Sequence, residues 1–409
     1  MKPIKSIPAL VPKATQNFKC LAGECPDTCC TGWEIPIDKI TFKNYKKSSS
    51  PELSVLFDEK LKRVKKPSSW RYATVKMNEG DCSCSFLDHG LCKIQKVLGE
   101  AALSDTCSGY PRVTVRHGSL FQQGLTLSCP AAAQAVLLQD QATEFIKAVV
   151  QTREEQIRSV GGADGAAAEV AQNARFFALA LMRREDFQTW EKMAILGFFC
   201  EEADVLQKQE NFLSIGILIE KYEKILEEQT LTHILSGIKS YPSAQISVFA
   251  GILLPQLLRE NTRSQKNILD ELMASVFEVG AKPYDEIKKI ALEKYIVGAE
   301  NINKALLKKQ NFIPNYLINQ MFNEIFPLNE PSIFRSYLRL VSRYGSLRLL
   351  LALQCSNPTK LPSPPEMAAL TQVYARKFEH NVPFKNKINE ALEAVGFNSM
   401  KYVCGIIRD

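Results

Sequence analysis

The sequence predicts a mainly α-helical protein, with an irregular cysteine-rich domain over residues 1–130 followed by an all-α helical domain over residues 131–409. Three observations predict this organisation. The chain has 409 residues, which is more than a single hydrophobic core usually serves. Nine of its twelve cysteines lie between Cys20 and Cys129. Beyond about Pro130, apolar residues recur at helical spacing, and no run alternates as a half-buried strand does.

The composition is that of a globular protein, with 45% hydrophobic and 23% charged residues. The longest apolar stretch, residues 246–258, falls short of the ~20 residues that a membrane-spanning helix needs. No apolar leader develops after the first residues, because Pro8 and Pro12 interrupt them. We therefore expect a cytoplasmic protein, in which the reducing environment disfavours disulfides.

Residues 1–130 are rich in Cys, Pro, Gly and Ser, and their helical periodicity is poor. We expect short elements joined by turns, with a bound metal fixing loops that bury little apolar surface. The exceptions are residues 38–47 and 51–66, where apolar residues recur at three and four and predict short helices.

Residues 131–160 contain no Gly or Pro and predict one long helix. The glycine-rich segment that follows them is expected to end this helix. The rest predicts one all-α domain or two helical lobes. Further helices are predicted over 166–184, 186–207, 211–227, 243–259, 264–279, 283–296, 300–309, 312–325, 331–353, 364–379 and 384–395. Ser264, Ser332 and Ser363 stand where helix caps are expected, and Pro364 suits a first helical position.

The clustered thiols predict a metal centre, because cysteines in a reducing compartment more often ligate metal or do redox chemistry. The C-x2-C pairs typical of zinc are absent, whereas iron–sulfur clusters take four thiolates at irregular spacing. An iron–sulfur cluster is thus favoured over zinc, and nine thiols leave room for two sites or for several non-ligands. The strongest ligand candidates are Cys20, Cys25, Cys29, Cys30, Cys84, Cys92 and Cys107, with Cys82 and Cys129 as second choices. Cys200, Cys355 and Cys404 stand in apolar helical contexts and are expected to be buried and inert.

The whole formal net charge of +7 lies on residues 1–130, which hold 19 basic and 12 acidic residues against 32 of each in the remainder. The densest part extends from Lys43 to Lys66 and ends in Lys60-x-Lys62-Arg63-x-Lys65-Lys66. We call the last four of these basic residues, Lys62, Arg63, Lys65 and Lys66, the basic run. Such a run suits an acidic protein substrate, nucleic acid or an anionic membrane face, although an ordinary solvated surface explains it as well. No nucleic-acid-binding module accompanies it, so we expect no nucleic-acid partner.

Several short motifs carry a resemblance to a known family. They are Phe18-x-Cys20-x4-Cys25-x3-Cys29-Cys30-x-Gly32-Trp33, Cys84-x-Phe86-Leu87, Leu91-Cys92-x-Ile94, Cys107-x-x-Tyr110-Pro111-Arg112, Leu127-Ser128-Cys129-Pro130, Asn315-Tyr316-Leu317 with Phe326-Pro327, and Ala375-Arg376-x-x-Glu379-His380-Asn381. The cysteine motifs resemble those of cysteine-cluster proteins described as zinc- or iron-chelating. The whole set is similar to the flagellin lysine-N-methylases of enteric bacteria and covers nearly the whole chain.

This resemblance implies a methyltransferase that uses S-adenosylmethionine, carries an oxygen-sensitive 4Fe–4S cluster and modifies lysine side chains of flagellin before export. The sequence departs from familiar methyltransferase patterns in two places. It has no Gly-x-Gly-x-x-Gly loop, and Cys30 directly after Cys29 breaks the Cys-x3-Cys-x2-Cys spacing of common radical enzymes. The binding site of the methyl donor and the choice between a polar and a radical mechanism therefore stay open.

A lysine amine, with a pKa of about 10.4, has to lose its proton before it can attack a methyl group. His380 beside Glu379 is the candidate catalytic base, since a neighbouring carboxylate raises the basicity of an imidazole. The end of a helix, where His is favoured as a cap, explains the same residues. Tyr110 and Arg112 are the candidates for binding the cofactor, with Arg112 pairing its carboxylate, and a structural turn is the alternative.

Two functions from different classes remain open at this point. The first is a protein-lysine methyltransferase with an iron–sulfur cluster. The second is a non-catalytic iron- or zinc-binding carrier or adaptor. The enzyme requires a pocket for the methyl donor, whereas the carrier does not.

Overall fold

The protein combines a mixed β-sheet near its N-terminus with a helical C-terminal part. The structure, a computed structural model, describes residues 2–160, 166–228, 231–257, 268–277, 284–380, 389–390, 392–394 and 396–409. Its described helices are α1 (Lys13–Gln16), α2 (Lys39–Tyr45), α3 (Pro51–Lys60), α4 (Lys93–Leu98), α5 (Asp105–Gly109), α6 (Pro130–Leu138), α7 (Ala166–Arg183), α8 (Thr189–Lys208), α9 (Phe212–Glu227), α10 (Thr232–Gly237), α11 (Pro242–Leu257), α12 (Ile268–Phe277), α13 (Tyr284–Ala305), α14 (Phe312–Glu324), α15 (Ile333–Gln354), α16 (Pro364–Tyr374) and α17 (Met400–Ile407). The prediction of a mainly α protein is therefore confirmed.

A five-stranded sheet organises the N-terminal part, with strand order β10-β7-β8-β1-β9. Strand β1 pairs antiparallel with β9 along its whole length, from Lys5 opposite Thr152 to Pro12 opposite Phe145. Strands β7 and β8 form an antiparallel hairpin, and β1 lies parallel to β8. The strands of this sheet are β1 (Lys5–Pro12), β7 (Arg112–His117), β8 (Leu120–Leu125), β9 (Phe145–Thr152) and β10 (Ile157–Val160).

The prediction of one helix over residues 131–160 was wrong, and with it the expectation of an all-α part from residue 131. Helix α6 ends at Leu138, and the chain returns to the sheet as β9 and β10. Burial alternates along β9, with Val150 and Thr152 inside and Lys147 outside. The alternation of apolar and polar residues that marks a strand is interrupted in the sequence, because Val149 is apolar although it lies on the outer face and is 67% exposed. Strands from both sides of residue 130 thus share one sheet.

A second, smaller core supports the cysteine-bearing loops. A three-stranded sheet, in the order β2-β4-β3, packs beside α2 and α3, and Tyr45 stacks on Phe57 with ring centroids 4.2 Å apart. The helix predicted over 51–66 stops at Lys60, where the chain enters β3 and pairs with β4. The strands of this region are β2 (Pro36–Ile37), β3 (Leu61–Arg63), β4 (Ala73–Val75), β5 (Leu87–Asp88) and β6 (Leu91–Cys92).

The C-terminal helices begin close to where their caps predict. The Ser332 side chain accepts a hydrogen bond from the backbone N–H of Arg335 at the start of α15. Ser363 and Glu366 form a capping box at the start of α16, and Pro364 occupies its first turn. The helices predicted over 283–296 and 300–309 are largely one helix, α13. The predicted cap at residue 264 and most of the helix predicted over 384–395 lie outside the described residues.

Helix α14 joins the sheet to the helical part through a polar face. Asn319 and Asn323 each donate an amide hydrogen bond to the backbone oxygen of Leu125, over 3.0 and 2.8 Å. A Cβ atom at Gly124 would stand 2.0 Å from the Oδ1 atom of Asn323, so this strand position needs glycine. Because side chains alternate across a strand, the opposite face of the sheet, which carries Phe121 and Gln123, is turned away from α14.

No helix within the described ranges is both long and apolar enough to cross a membrane.

Candidate site between the cysteine loops and the C-terminal helices

Four of the predicted ligand thiols, those of Cys30, Cys84, Cys92 and Cys107, gather around the small core of the cysteine region. Cys84 donates its backbone N–H to the Cys30 carbonyl oxygen over 2.7 Å, which ties two cysteine loops together. Burial, with the nearby Cys29 and Cys92 acting in the same direction, raises the pKa of Cys84 and of Cys107 to about 12. These four thiols, Cys29, Cys84, Cys92 and Cys107, are therefore close enough to act on one another electrostatically.

A second group of thiols adjoins the first. Burial, with the nearby Cys25 and Cys20 acting in the same direction, raises the pKa of Cys129 to about 11. Burial also raises the pKa of Cys25, which lies near both Cys20 and Cys29. The nine clustered cysteines thus contain one group of four mutually close thiols and another of three, linked through Cys25 and Cys29.

Backbone N–H groups point at several of the sulfur atoms. Such hydrogen bonds favour a thiolate over a thiol and tune metal–thiolate centres. The donors lie two or three residues after each cysteine: Ala22 for Cys20, Asp27 for Cys25, Phe86 for Cys84, Ile94 and Gln95 for Cys92, and Ala131 and Ala132 for Cys129.

The thiols are gathered but not closed around a single ion. Within the part of the chain that the structure describes, no group of three or more His, Cys, Asp or Glu side chains could hold a metal ion in this conformation. All twelve cysteines belong to that part, and none of them is in a disulfide. Cys200, Cys355 and Cys404 are buried in the helical core, as predicted.

One face of α16 and the π-helical turn after it contacts the cysteine loops. Gln372, Arg376 and His380 follow one another at four-residue spacing, and we call them the Gln-Arg-His stripe. Arg376 pairs with the Asp27 carboxylate and donates to the carbonyl oxygens of residues 27, 28 and 31. Gln372 donates to Asp27 Oδ2 over 2.9 Å and to the Ser128 carbonyl oxygen over 2.8 Å. The stripe thereby holds the loop that carries Cys29 and Cys30.

Ser128 brings two of the predicted site residues together. Its Oγ lies 2.8 Å from His380 Nε2 and 3.1 Å from the Tyr110 hydroxyl oxygen. Burial raises the pKa of Tyr110, which lies near Cys129, Cys29 and Arg376. A chain of exchangeable protons therefore runs from Tyr110 through Ser128 to His380, beside both thiol groups.

Glu379 and Arg112 face other surroundings. The buried Glu379 carboxylate accepts hydrogen bonds from the Tyr316 hydroxyl over 2.7 Å and from Gln320 over 2.9 Å, so it faces α14. His380 directly follows the π turn as its C-terminal cap, which agrees with the helix-end alternative. The Arg112 guanidinium lies 5.3 Å above the Phe18 ring. Tyr110 and Arg112 thus have different neighbours, although both were predicted to bind one cofactor.

Sequence reasoning missed Gln372, Ser128 and Asp27, and gave Arg376 no role. The signal for the stripe was present, because its members repeat every four residues, two of them within the helix predicted over 364–379 and His380 directly after it. Their partners could not be found that way, since Asp27 is 345 residues from Gln372 along the chain.

Residues 175–406, more than half of the chain, match the family described as the FliB lysine N-methylase C-terminal domain. The chain belongs to this FliB lysine N-methylase family. The Gln-Arg-His stripe lies within the matched residues. No solved structure matches the chain.

Similar proteins from Salmonella match a third of the chain. The flagellar biosynthetic protein FliU of Salmonella muenchen is 33% identical over 135 residues, which are 33% of this chain and 79% of that protein. The lysine-N-methylases of Salmonella choleraesuis and Salmonella typhimurium are each 33% identical over 135 residues. Those matches cover 33% of the length of each of these two lysine-N-methylases.

Proposed function

We propose that the protein is a cytoplasmic protein-lysine N-methyltransferase that modifies flagellin, takes its methyl group from S-adenosylmethionine and carries a 4Fe–4S cluster. The observation that carries the proposal is the family match over residues 175–406. The geometry of the site supports it, because the matched region supplies a base, His380, beside the cysteine loops. A non-catalytic iron or zinc carrier would need the cysteines alone.

The donor set fits an iron–sulfur cluster. Cys29, Cys84, Cys92 and Cys107 provide the four thiolates that such a cluster takes, and they influence one another without closing on a single ion. A cluster of several iron and sulfide ions spans more space between its ligands than one ion does. We assign these four as the ligands, with Cys20, Cys25 and Cys129 as a neighbouring group. Bound there, the cluster would fix the surrounding loops or supply an electron.

The proton of the substrate lysine passes to His380 in this proposal. An ammonium group that approaches Ser128 donates its proton through the Ser128 hydroxyl to the imidazole, which is a base near neutral pH. The neutral nitrogen then forms a bond to the methyl carbon as the carbon–sulfur bond of the donor breaks. The sulfonium leaves as a neutral thioether, so charge is balanced. Tyr110, hydrogen-bonded to Ser128, orients the hydroxyl.

The basic run is the proposed docking surface for flagellin. Lys62 and Arg63 lie on the exposed strand β3, and Arg63 stands 4.8 Å above the Tyr72 ring. Trp70, in the loop that joins β3 to β4, is 62% exposed. Positive charge around an exposed aromatic ring suits an acidic protein face, and an anionic membrane face is the alternative partner.

Anaerobic purification followed by assay tests the function. We expect iron with acid-labile sulfide, and methyl transfer from labelled S-adenosylmethionine to flagellin. His380→Ala should lower kcat by about 10²–10⁴-fold while iron content stays unchanged. His233→Ala, at an exposed position on α10, is the matched control and should behave as the wild type.

Two outcomes would contradict parts of this proposal. Stoichiometric zinc without sulfide would overturn the iron–sulfur assignment. Metal binding without methyl transfer to flagellin would favour the carrier function instead.

A further inference from the structure

A groove of about 540 Å³ crosses the face of the five-stranded sheet that is turned away from α14. Val11, Ala148 and Val150 form its apolar floor, and Ser108 and Gly109 line one wall. These wall residues directly follow Cys107 and precede Tyr110. The groove therefore borders the same short segment as the candidate site. Its volume lies within the range of about 300–1,000 Å³ that is usual for small-molecule sites.

The groove contains buried polar groups, one of which has no partner. The hydroxyl of Thr15, a residue only 7% exposed, is buried and makes no hydrogen bond to any described residue. Thr114 and Gln123, also buried, lie along the groove and hydrogen-bond each other over 2.9 Å. A buried hydroxyl without a partner destabilises the free protein, so its presence calls for an explanation. A ligand that hydrogen-bonds Thr15 supplies one.

Arg112 gives the groove a positive charge at its edge. Its side chain is exposed, stands 5.3 Å above the Phe18 ring and forms no ion pair within the described ranges. The one acidic residue that lines the groove is Glu100. An arginine without an acidic partner beside an aromatic ring is suited to a carboxylate on a small organic ligand.

We propose that this groove is the binding site of the methyl donor, a sulfonium compound that carries an amino-acid carboxylate and a nucleoside. Arg112 pairs with the carboxylate, and Thr15 and Gln123 hydrogen-bond the polar groups of the ligand. The inference rests on the proposed methyltransferase function and deepens it, since it locates a substrate that the family match leaves unplaced. Tyr110, which contacts Ser128 instead, is not part of this pocket.

Equilibrium binding tests the location without relying on turnover. S-adenosylmethionine is titrated calorimetrically into the full-length, anaerobically purified wild type and into Arg112→Gln and Thr15→Val. Arg112→Gln should weaken binding by about tenfold or more, because a charge-assisted hydrogen bond is lost. Arg116→Gln is the matched control, since Arg116 lies two strand positions beyond Thr114 on the same face, exposed and outside the groove. It should bind as the wild type does.

Thr15→Val separates a binding role from a structural one. The substitution keeps the shape of the side chain and removes the unpartnered hydroxyl, so the melting temperature of the free protein should stay equal or rise. Affinity for the donor should nevertheless fall several-fold, by about the value of one hydrogen bond. A Thr15→Val protein with lower stability and unchanged affinity would assign the hydroxyl to folding alone.

The outcomes distinguish this inference from the proposed function. If both groove variants bind the donor within twofold of a wild type that methylates flagellin, the groove is not the donor site and the function stands. If the wild type neither binds the donor nor transfers methyl groups, the methyltransferase proposal fails and the groove assignment fails with it.

Discussion

Replacing Arg376 with alanine should loosen the cysteine loop and reduce metal retention. The Arg376 side chain is only 12% exposed, and its guanidinium bridges the Asp27 carboxylate and the carbonyl oxygens of residues 27, 28 and 31. A hydrogen bond contributes about 0.5–1.5 kcal/mol net, and a partly exposed ion pair contributes up to about 1 kcal/mol. The sum, discounted for carbonyl groups that water can reach after the change, predicts a loss of about 2–4 kcal/mol. Arg376→Lys keeps the charge without the planar fork and should recover only the ion pair.

Urea denaturation and iron content of the full-length protein measure the two effects. Arg71→Ala is a suitable control, because Arg71 pairs with Glu34 on the surface of the same region, where the two side chains are 38% and 52% exposed. That control should lose less than about 1 kcal/mol and keep its iron. An Arg376→Ala protein that matches the control in both stability and iron content would refute the idea that the stripe holds the cysteine loop.

Three further predictions concern other parts of the chain. Burial lowers the pKa of Lys192 to about 8, so between about pH 8 and 10 the unfolded chain binds more protons there and stability rises with pH. Urea denaturation across this range should show a flatter pH dependence for Lys192→Met than for the wild type, and parallel curves would contradict this. Cys200→Ala, Cys355→Ala and Cys404→Ala should each retain the iron content and absorption spectrum of the wild type, and a loss of iron in any of them would place that thiol at the metal centre. Replacing the four residues of the basic run with glutamine should weaken flagellin binding and reduce the dependence of that binding on salt. Binding that is unchanged across a salt series would show that the run is an ordinary solvated surface.

Local sequence patterns predicted most of the helical part, because its elements are specified by neighbouring residues. Caps such as Ser332 act within one turn, and the periodicity of α15 and α16 is visible without knowledge of their partners. Whether residues 145–152 form a strand depends instead on β1, with which they pair and which lies about 140 residues earlier. Pairing with a distant strand overrides a locally helical composition, so the pattern alone gave the wrong element.

The same distinction applies to the candidate site. The clustering of the cysteines and the choice of His380 as a candidate base could be predicted, because they depend only on residue type and spacing. The contact between His380 and Ser128, 252 residues apart, was not, since it exists only after the two parts of the chain have packed. The separation of Arg112 from Tyr110 was equally hidden, because two residues near in sequence were assumed to share one ligand.

The large sequence separation between Arg376 and the residues that it contacts also has a consequence for the timing of biosynthesis. The loop that carries Cys29 and Cys30 is held by a side chain translated 345 to 349 residues after its partners. At about 5–20 residues per second, a ribosome needs roughly 20–70 seconds to make that intervening length. During this interval the nascent chain carries several thiols in a loop without its final contacts. Delivery of metal to this region would therefore follow translation, and oxidants or stray metal ions would have that long to reach the thiols first.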